Sequence, residues 1–289
     1  MTARAGLAAL LAAGAAAAVA GDAPPERIRN AKVEVRPAAG GLAAALRAAG
    51  PGPVWLAYDV PAEAGHSMCC WDSVESIGHT GGGCRLDGHN VTFNDDPQDR
   101  PVHLEGERLA VVYLRAEGGR VERLRVLSRS CGVDAGGRPL IWLSGVAPVE
   151  SAAFLASLLD DPAQRRMVDE VLMALGVHTE PAALDRMVKA ARSNPSSRVR
   201  SQALFWLAQK AGRRATEEIE RAVSEDPESQ VRQQAVFALS QLPREEGVPK
   251  LIALARSHRD PHVRERAMFW LGQSEDPRAL AFFEQVLKN

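Results

Sequence analysis

The C-terminal half of this 289-residue chain repeats itself every 32 residues. Val199-Arg200, Val231-Arg232 and Val263-Arg264 are the first sign of the period. Ala203, Ala235 and Ala267 share the offset, as do Phe205, Phe237 and Phe269, and then Leu207, Leu239 and Leu271. A second series keeps the same register through Met187, Ile219, Leu251 and Phe283, beside Leu184, Thr216, Val248 and Leu280. Further back, Met167, Val171 and Leu175 hold the first-series positions, and Leu155, Leu158 and Leu159 those of a still earlier second series. A unit this short cannot bury its own apolar face, so the units must stack on one another.

Each unit reads as two helices. Apolar residues at i, i+4 and i+8, as in Val199, Ala203 and Leu207, share one face of an α-helix. Asp161-Pro162, Asn194-Pro195, Asp226-Pro227 and Asp260-Pro261 mark the starts of first helices. An Asp or Asn there accepts free N–H groups of the first turn, and proline at the next position loses no hydrogen bond. Glu180-Pro181 and Asp276-Pro277 open second helices in the same way. The expectation is an α-solenoid over 148–289, with about four helix pairs behind a leading half-repeat.

The Asp-Pro starts followed by Val-Arg-x-x-Ala-x-x-x-Leu resemble short HEAT repeats, of the kind found in phycobilisome-lyase-like proteins. The resemblance covers 161–289 and implies an armadillo-like solenoid; repeats of this kind serve many partners, so it names none. The first unit departs from the pattern, because Val168 stands where later units have Arg. Its contact with the neighbouring unit is therefore expected to differ. Deoxyhypusine-hydroxylase-like HEAT proteins carry His-Glu steps for two irons. Here His178 precedes Thr179 and His262 precedes Val263, so that activity is not implied.

The N-terminal half has a different character. Residues 1–20 place Arg4 before an uncharged Ala-rich run ending Ala18-Val19-Ala20, the layout of a cleaved secretory signal peptide. Residues 21–147 are expected to form a small β-rich domain. Ala31–Arg36 alternates, Gly41–Ala49 reads as a short helix, and Pro53–Val60 reads as a strand. Leu109–Arg115 and Arg120–Leu127 flank Glu117-Gly118-Gly119 as a hairpin, and Leu140–Leu143 is a final strand. Export to the periplasm or exterior suggests that Cys69, Cys70, Cys84 and Cys131 form two disulfides stapling this half. Adjacent Cys69 and Cys70 should not bond each other, which leaves two crossed pairings. The fold class expected overall is α+β and multidomain.

The whole chain is also similar to exported bacterial HEAT-repeat proteins of unknown activity. The resemblance rests on His66-Ser67-Met68-Cys69-Cys70-Trp71, on Gly83-Cys84-Arg85-Leu86 and on Cys131-Gly132-Val133-Asp134. It implies secretion, disulfides and a repeat tail, and supplies no catalytic residue.

Thiolate and imidazole ligands make His66, His79 and His89, with the neighbouring cysteines, the one metal or thiol site worth weighing. Their spacing matches no CxxC knuckle or HExxH helix, and oxidised cysteines would leave the ligand pool. A metal- or thiol-dependent envelope protein using loop 66–89 is therefore the alternative reading; the favoured one needs no cofactor. The charges speak against nucleic acid, since Lys+Arg is 35 and Asp+Glu is 36 in the whole chain. Arg200, Arg232 and Arg264 are instead expected to bridge to an acid or carbonyl between repeats. Phe205, Phe237 and Phe269 are expected to stack laterally between repeats. In the last helix Phe283 and Leu287 take inward positions, while Phe282 is expected to face outward, or toward the place of a next unit, beside Phe269. Together the two would offer a contact surface for a partner or for self-association. The function expected is thus an exported, non-catalytic protein-binding or scaffold module without a membrane span.

Overall fold

The computed structural model describes residues 23–63, 69, 84–87, 107–210 and 212–288. The signal-peptide reading over 1–20 lies outside them, as do Cys70, His66, His79 and His89. The N-terminal half carries β-sheet and the C-terminal half is helical throughout.

The main sheet has five strands: β2 (Val33–Pro37), β3 (Val54–Pro61), β5 (Leu109–Glu117), β6 (Arg120–Ser128) and β8 (Leu140–Ser144). Their order is β2-β8-β3-β5-β6. β2 and β3 flank β8 in parallel, while β3, β5 and β6 run antiparallel. The β5–β6 hairpin turns on Gly118 and Gly119, whose φ values of 56° and 75° are open to glycine at little cost. Three two-residue strands, β1 (Ile28–Arg29), β4 (Cys84–Arg85) and β7 (Val133–Asp134), add a small parallel sheet in the order β1-β7-β4. Such short pieces leave no alternation to detect in sequence.

β3 is buried along almost its whole length, which explains why PVWLAYDV does not alternate. Trp55 and Ala57 face Trp142, Tyr113, Leu86 and Cys131 beneath the small sheet. Val54, Leu56, Tyr58 and Val60 face the other way and share one continuous core with the helices. The helix α1 (Leu42–Ala48) closes the edge of that core through Leu42 and Leu46.

Helix α2 (Pro148–Asp160) leads the array. The first pair is a 3-10 turn (Pro162–Met167) continued by α3 (Val168–Val177), with α4 (Pro181–Ser193). Then come α5 (Ser197–Lys210) with α6 (Arg213–Glu225), α7 (Ser229–Ser240) with α8 (Arg244–Ser257), and α9 (Pro261–Gln273) with α10 (Pro277–Lys288). The starts behave as their chemistry dictates. Asp161, Asn194, Asp226, Asp260 and Asp276 each accept the backbone N–H two residues on at 2.9–3.0 Å. Val199, Ala203, Leu207 and their counterparts in α7 and α9 are all buried. Gly247 lets α8 approach α7, since a Cβ there would lie 2.5 Å from the Leu239 carbonyl oxygen.

The last helix corrects the 32-residue register. Phe282, expected to face outward, is buried at 5% exposure, whereas Leu280 and Leu287 are exposed at 62% and 86%. Phe282 lies 32 residues after Lys250, whose amino group reaches back to Glu220 in the preceding pair. The phenyl ring follows the same backward path and lies under the Arg256 guanidinium, 5.7 Å from its carbon. Ala279, Phe282 and Phe283 thus form the inward stripe, because burying a phenyl ring gains more than keeping the leucine positions of earlier units.

The buried register predicts a clear contrast. Leu239→Ala, at a position 1% exposed, should lower stability by about 2–5 kcal/mol. Glu245→Ala, whose exposed carboxylate pairs with Arg278, should change it by under about 1 kcal/mol. Urea denaturation of both variants checks this, and equal effects would contradict the packing.

Candidate functional site: the ladders between repeats

Two ladders cross the solenoid. The first is ionic. Arg200 Nε and Nη2 donate to the two carboxylate oxygens of Asp226 at 2.8 and 3.1 Å. Its Nη1 donates to the Asn194 carbonyl at 2.9 Å. Arg232 repeats the arrangement, with Nε and Nη2 at 3.0 and 2.8 Å from Asp260 Oδ2 and Nη1 on the Asp226 carbonyl. Arg264 keeps the last feature, donating to the His258 carbonyl at 2.6 Å. The acid comes from the next unit and the carbonyl from the arginine's own unit. Donation from Arg232, aided by the His262 N–H, holds the Asp260 carboxyl below the ordinary carboxylate range.

The first interface lacks the rung in both halves. Val168 replaces the arginine and Asn194 replaces the aspartate. The two changes go together, because Asn194 is buried and Val168 supplies no guanidinium for a carboxylate at that position. Asn194 instead makes a long 3.4 Å bond from Nδ2 to Asp160. A cleft of about 430 Å³ opens at this point, lined by Asp160, Pro162, Arg165, Asn194 and Ser197 among others.

The second ladder is aromatic. Phe205 and Phe237 stack with ring planes 1° apart and centroids 6.0 Å apart. Phe237 continues to Trp270 at 4.8 Å, and Trp270 to Phe269 at 4.9 Å. Trp206 joins Phe205 edge-on at 5.4 Å. The lateral stack expected from the sequence joins Phe205 to Phe237, but in the third unit Trp270 takes the place expected for Phe269, which meets Trp270 from within the same helix. It ends on Phe269, which is 49% exposed. Trp270 also lines a cleft of about 230 Å³, with Gln273, Gln241 and Arg244 among others.

A third cluster lies where sheet meets solenoid, and the sequence carries no signal for it because its members come from four separate segments. Ser151 Oγ lies 3.0 Å from Tyr58 OH and 3.1 Å from His178 Nε2. All three residues are completely buried. Lys210 Nζ donates to Glu63, to the Gly176 carbonyl and to the His178 carbonyl at 2.6–3.1 Å. Burial, with Lys210 nearby, holds the His178 imidazole down at about 4. Burial pushes the Tyr58 phenol above its ordinary value. The Ser–His pair resembles part of a nucleophilic triad, yet among the described residues His178 Nδ1 has no partner, and Ser151 is fully buried. The cluster ties β3, α2 and the α3–α4 link together.

Of the cysteines, Cys69 pairs with Cys131, and Cys84 is also in a disulfide. Among the described residues no group of three or more His, Cys, Asp or Glu side chains could hold a metal ion. Among them, too, no helix is long and apolar enough to cross a membrane.

Residues 216–289 match the HEAT repeats family. No curated protein matches the chain. Among solved structures, human deoxyhypusine hydroxylase in complex with glycerol is similar at 21% identity and a TM-score of 0.34. That match covers 43% of this chain and 43% of the hydroxylase, so the chain spans less than half of that relative. The CpcE–CpcF complex of phycocyanin lyase from a Nostoc species is similar at 15% identity and a TM-score of 0.36, over 49% of this chain and 91% of that one.

Two predictions arise from these contacts. Arg200→Ala strands the buried Asp226 carboxylate and should cost about 3–5 kcal/mol, as breaking a buried ion pair does. The double variant Arg200→Val/Asp226→Asn copies the Val168/Asn194 interface and should recover more than half of that loss. Denaturant midpoints of the two variants decide the point. For His178, the unfolded imidazole binds a proton near 6.5 and the folded one only near 4. Stability is therefore full above pH 6.5 and falls as pH drops toward 4, by about 1.4 kcal/mol per unit. Between pH 7 and 4.5 the wild type should lose about 2–3 kcal/mol more than His178→Gln, read from urea midpoints.

Proposed function

We propose that this chain is an exported HEAT-repeat module that holds a protein partner on its solenoid and performs no chemistry of its own. The aromatic ladder is the observation that carries this reading. It lays half-buried rings across three consecutive units and ends on the exposed Phe269. Aromatic anchors of this kind supply most of the energy in protein interfaces. The HEAT match at 216–289 supports an interaction role, since stacked helix pairs present extended binding surfaces. The Cys69–Cys131 disulfide supports an oxidising compartment. Near-equal numbers of acidic and basic residues favour a protein over nucleic acid as partner.

Affinity capture from an envelope extract of the source organism tests the proposal. Residues 21–289 and their Phe269→Glu variant serve as baits, with Glu245→Ala as the surface control. We expect a protein retained by the wild type and the control to be lost by Phe269→Glu, at unchanged melting temperature. Identical retained sets for all three baits would overturn the role given to Phe269.

A further inference from the structure

The strand β2 forms one edge of the main sheet and carries a self-complementary outer face that no described strand uses. Its inner side is fully engaged. The Lys32 carbonyl accepts from Leu140 N–H at 3.0 Å, and Ala38 N–H donates to the Ser144 carbonyl at 2.9 Å. Backbone groups alternate along a parallel strand, so Glu34 and Arg36 also turn theirs toward β8. Val33 and Val35 therefore turn N–H and C=O outward, where no described strand pairs with them. Pro37 is tolerated on this edge because its missing N–H would face outward too. Natural edges are usually blunted by unpaired charge or by a covering loop. Here Val33 and Val35 are 36% and 52% exposed, and the two charges neutralise each other. Arg36 grips Glu34 through Nε and Nη2 at 2.7 and 2.9 Å.

We propose that β2 pairs antiparallel with β2 of a second copy, joining two five-stranded sheets into one. The charge pattern selects the occupant and the direction. Counted from Val35, Glu34 and Arg36 stand at equal distance on opposite sides. A two-fold axis through Val35 therefore sets Glu34 against the partner's Arg36, and Arg36 against the partner's Glu34. A parallel pairing in register would set like charges together. The two Val35 residues exchange both backbone hydrogen bonds, and each Val33 N–H reaches the carbonyl of the partner's Pro37. Glu34 and Arg36 then fall on a non-hydrogen-bonded pair, where side chains across two strands come closest. The contact is isologous and consumes the open edge of both copies, so it stops at a dimer. A strand pair of five residues is small, which places the association in the micromolar range or weaker.

Charge reversal tests this directly. Sedimentation of the mature chain up to about 100 μM, at low salt, should show a concentration-dependent dimer. Glu34→Arg and Arg36→Glu each make both cross-strand pairs repulsive and should weaken the dimer about tenfold or more. Mixing the two variants restores opposite charges at every pair and should recover a mixed dimer, as should the double variant with itself. Leu287→Glu, on the exposed face of the last helix, should leave the dimer unchanged. A wild type that stays monomeric throughout would overturn the proposal. So would single variants that dimerise like wild type, a mixture that stays monomeric, or a dimer lost with Leu287→Glu. Unchanged circular dichroism of these exposed variants excludes misfolding as the cause.

Discussion

The Asp226 carboxylate meets two demands at once. One of its oxygens accepts the Glu228 N–H and starts α7, and both receive the Arg200 guanidinium from the unit before. Helix start and unit spacing are thereby set by the same atoms. If α7 slid along its axis, Asp226 could not keep both its cap and its ionic rung. Asp260 repeats the arrangement for α9 with Arg232. Because the pair is largely withdrawn from water, its worth lies less in net stability than in penalising a wrong register. Apolar contact between helices, which is tolerant of small slips, does not do this alone.

The first interface shows what replaces that constraint. There Val168 and Asn194 carry no charge, and the sheet takes over. One face of β3 continues into the core of α2 and α3, and the Tyr58–Ser151–His178 chain crosses the junction. Backbone bonds add to it, with Glu63 N–H on the Val177 carbonyl and Thr179 N–H on the Pro61 carbonyl. The two halves are thus joined by strand-like pairing as well as by apolar burial, and the boundary near Pro148 divides sequence patterns rather than cores.

How much of this could be read beforehand depended on whether a signal was local or repeated. Helix starts, inward alanines and leucines, the hairpin at Gly118-Gly119 and the lateral stacking of Phe205 and Phe237 all repeat or rest on near neighbours. The bridging of Arg200 and Arg232 to an acid of the next unit was also legible, whereas Arg264 donates to the His258 and Arg259 carbonyls of its own unit. The parallel placement of β8 between β2 and β3 was not legible, since strand order depends on contacts between distant residues. Nor was the small sheet, whose strands have two residues each. Phe282 misled the register because the inward stripe of α10 is set by its contacts with α8 and α9, where the ring finds Arg256, and not by the positions that earlier units repeat. The junction cluster around His178 had no signature at all, its members being scattered from Tyr58 to Lys210.

The shared core at one end gives the array a direction. Units that touch only their neighbours unfold roughly as a one-dimensional chain, from whichever end is held least. Here α2 and α3 are anchored on the sheet, while α10 leaves Leu280, Val286 and Leu287 in water. Amide protons should therefore exchange fastest in α9 and α10 and more slowly toward α3. Phe269 sits in that loosest region, on α9. A partner gripping it would bind the segment that opens most often, and occupancy there would slow exchange furthest up the array. Ligand binding and the fraying of the solenoid are then two readings of one equilibrium.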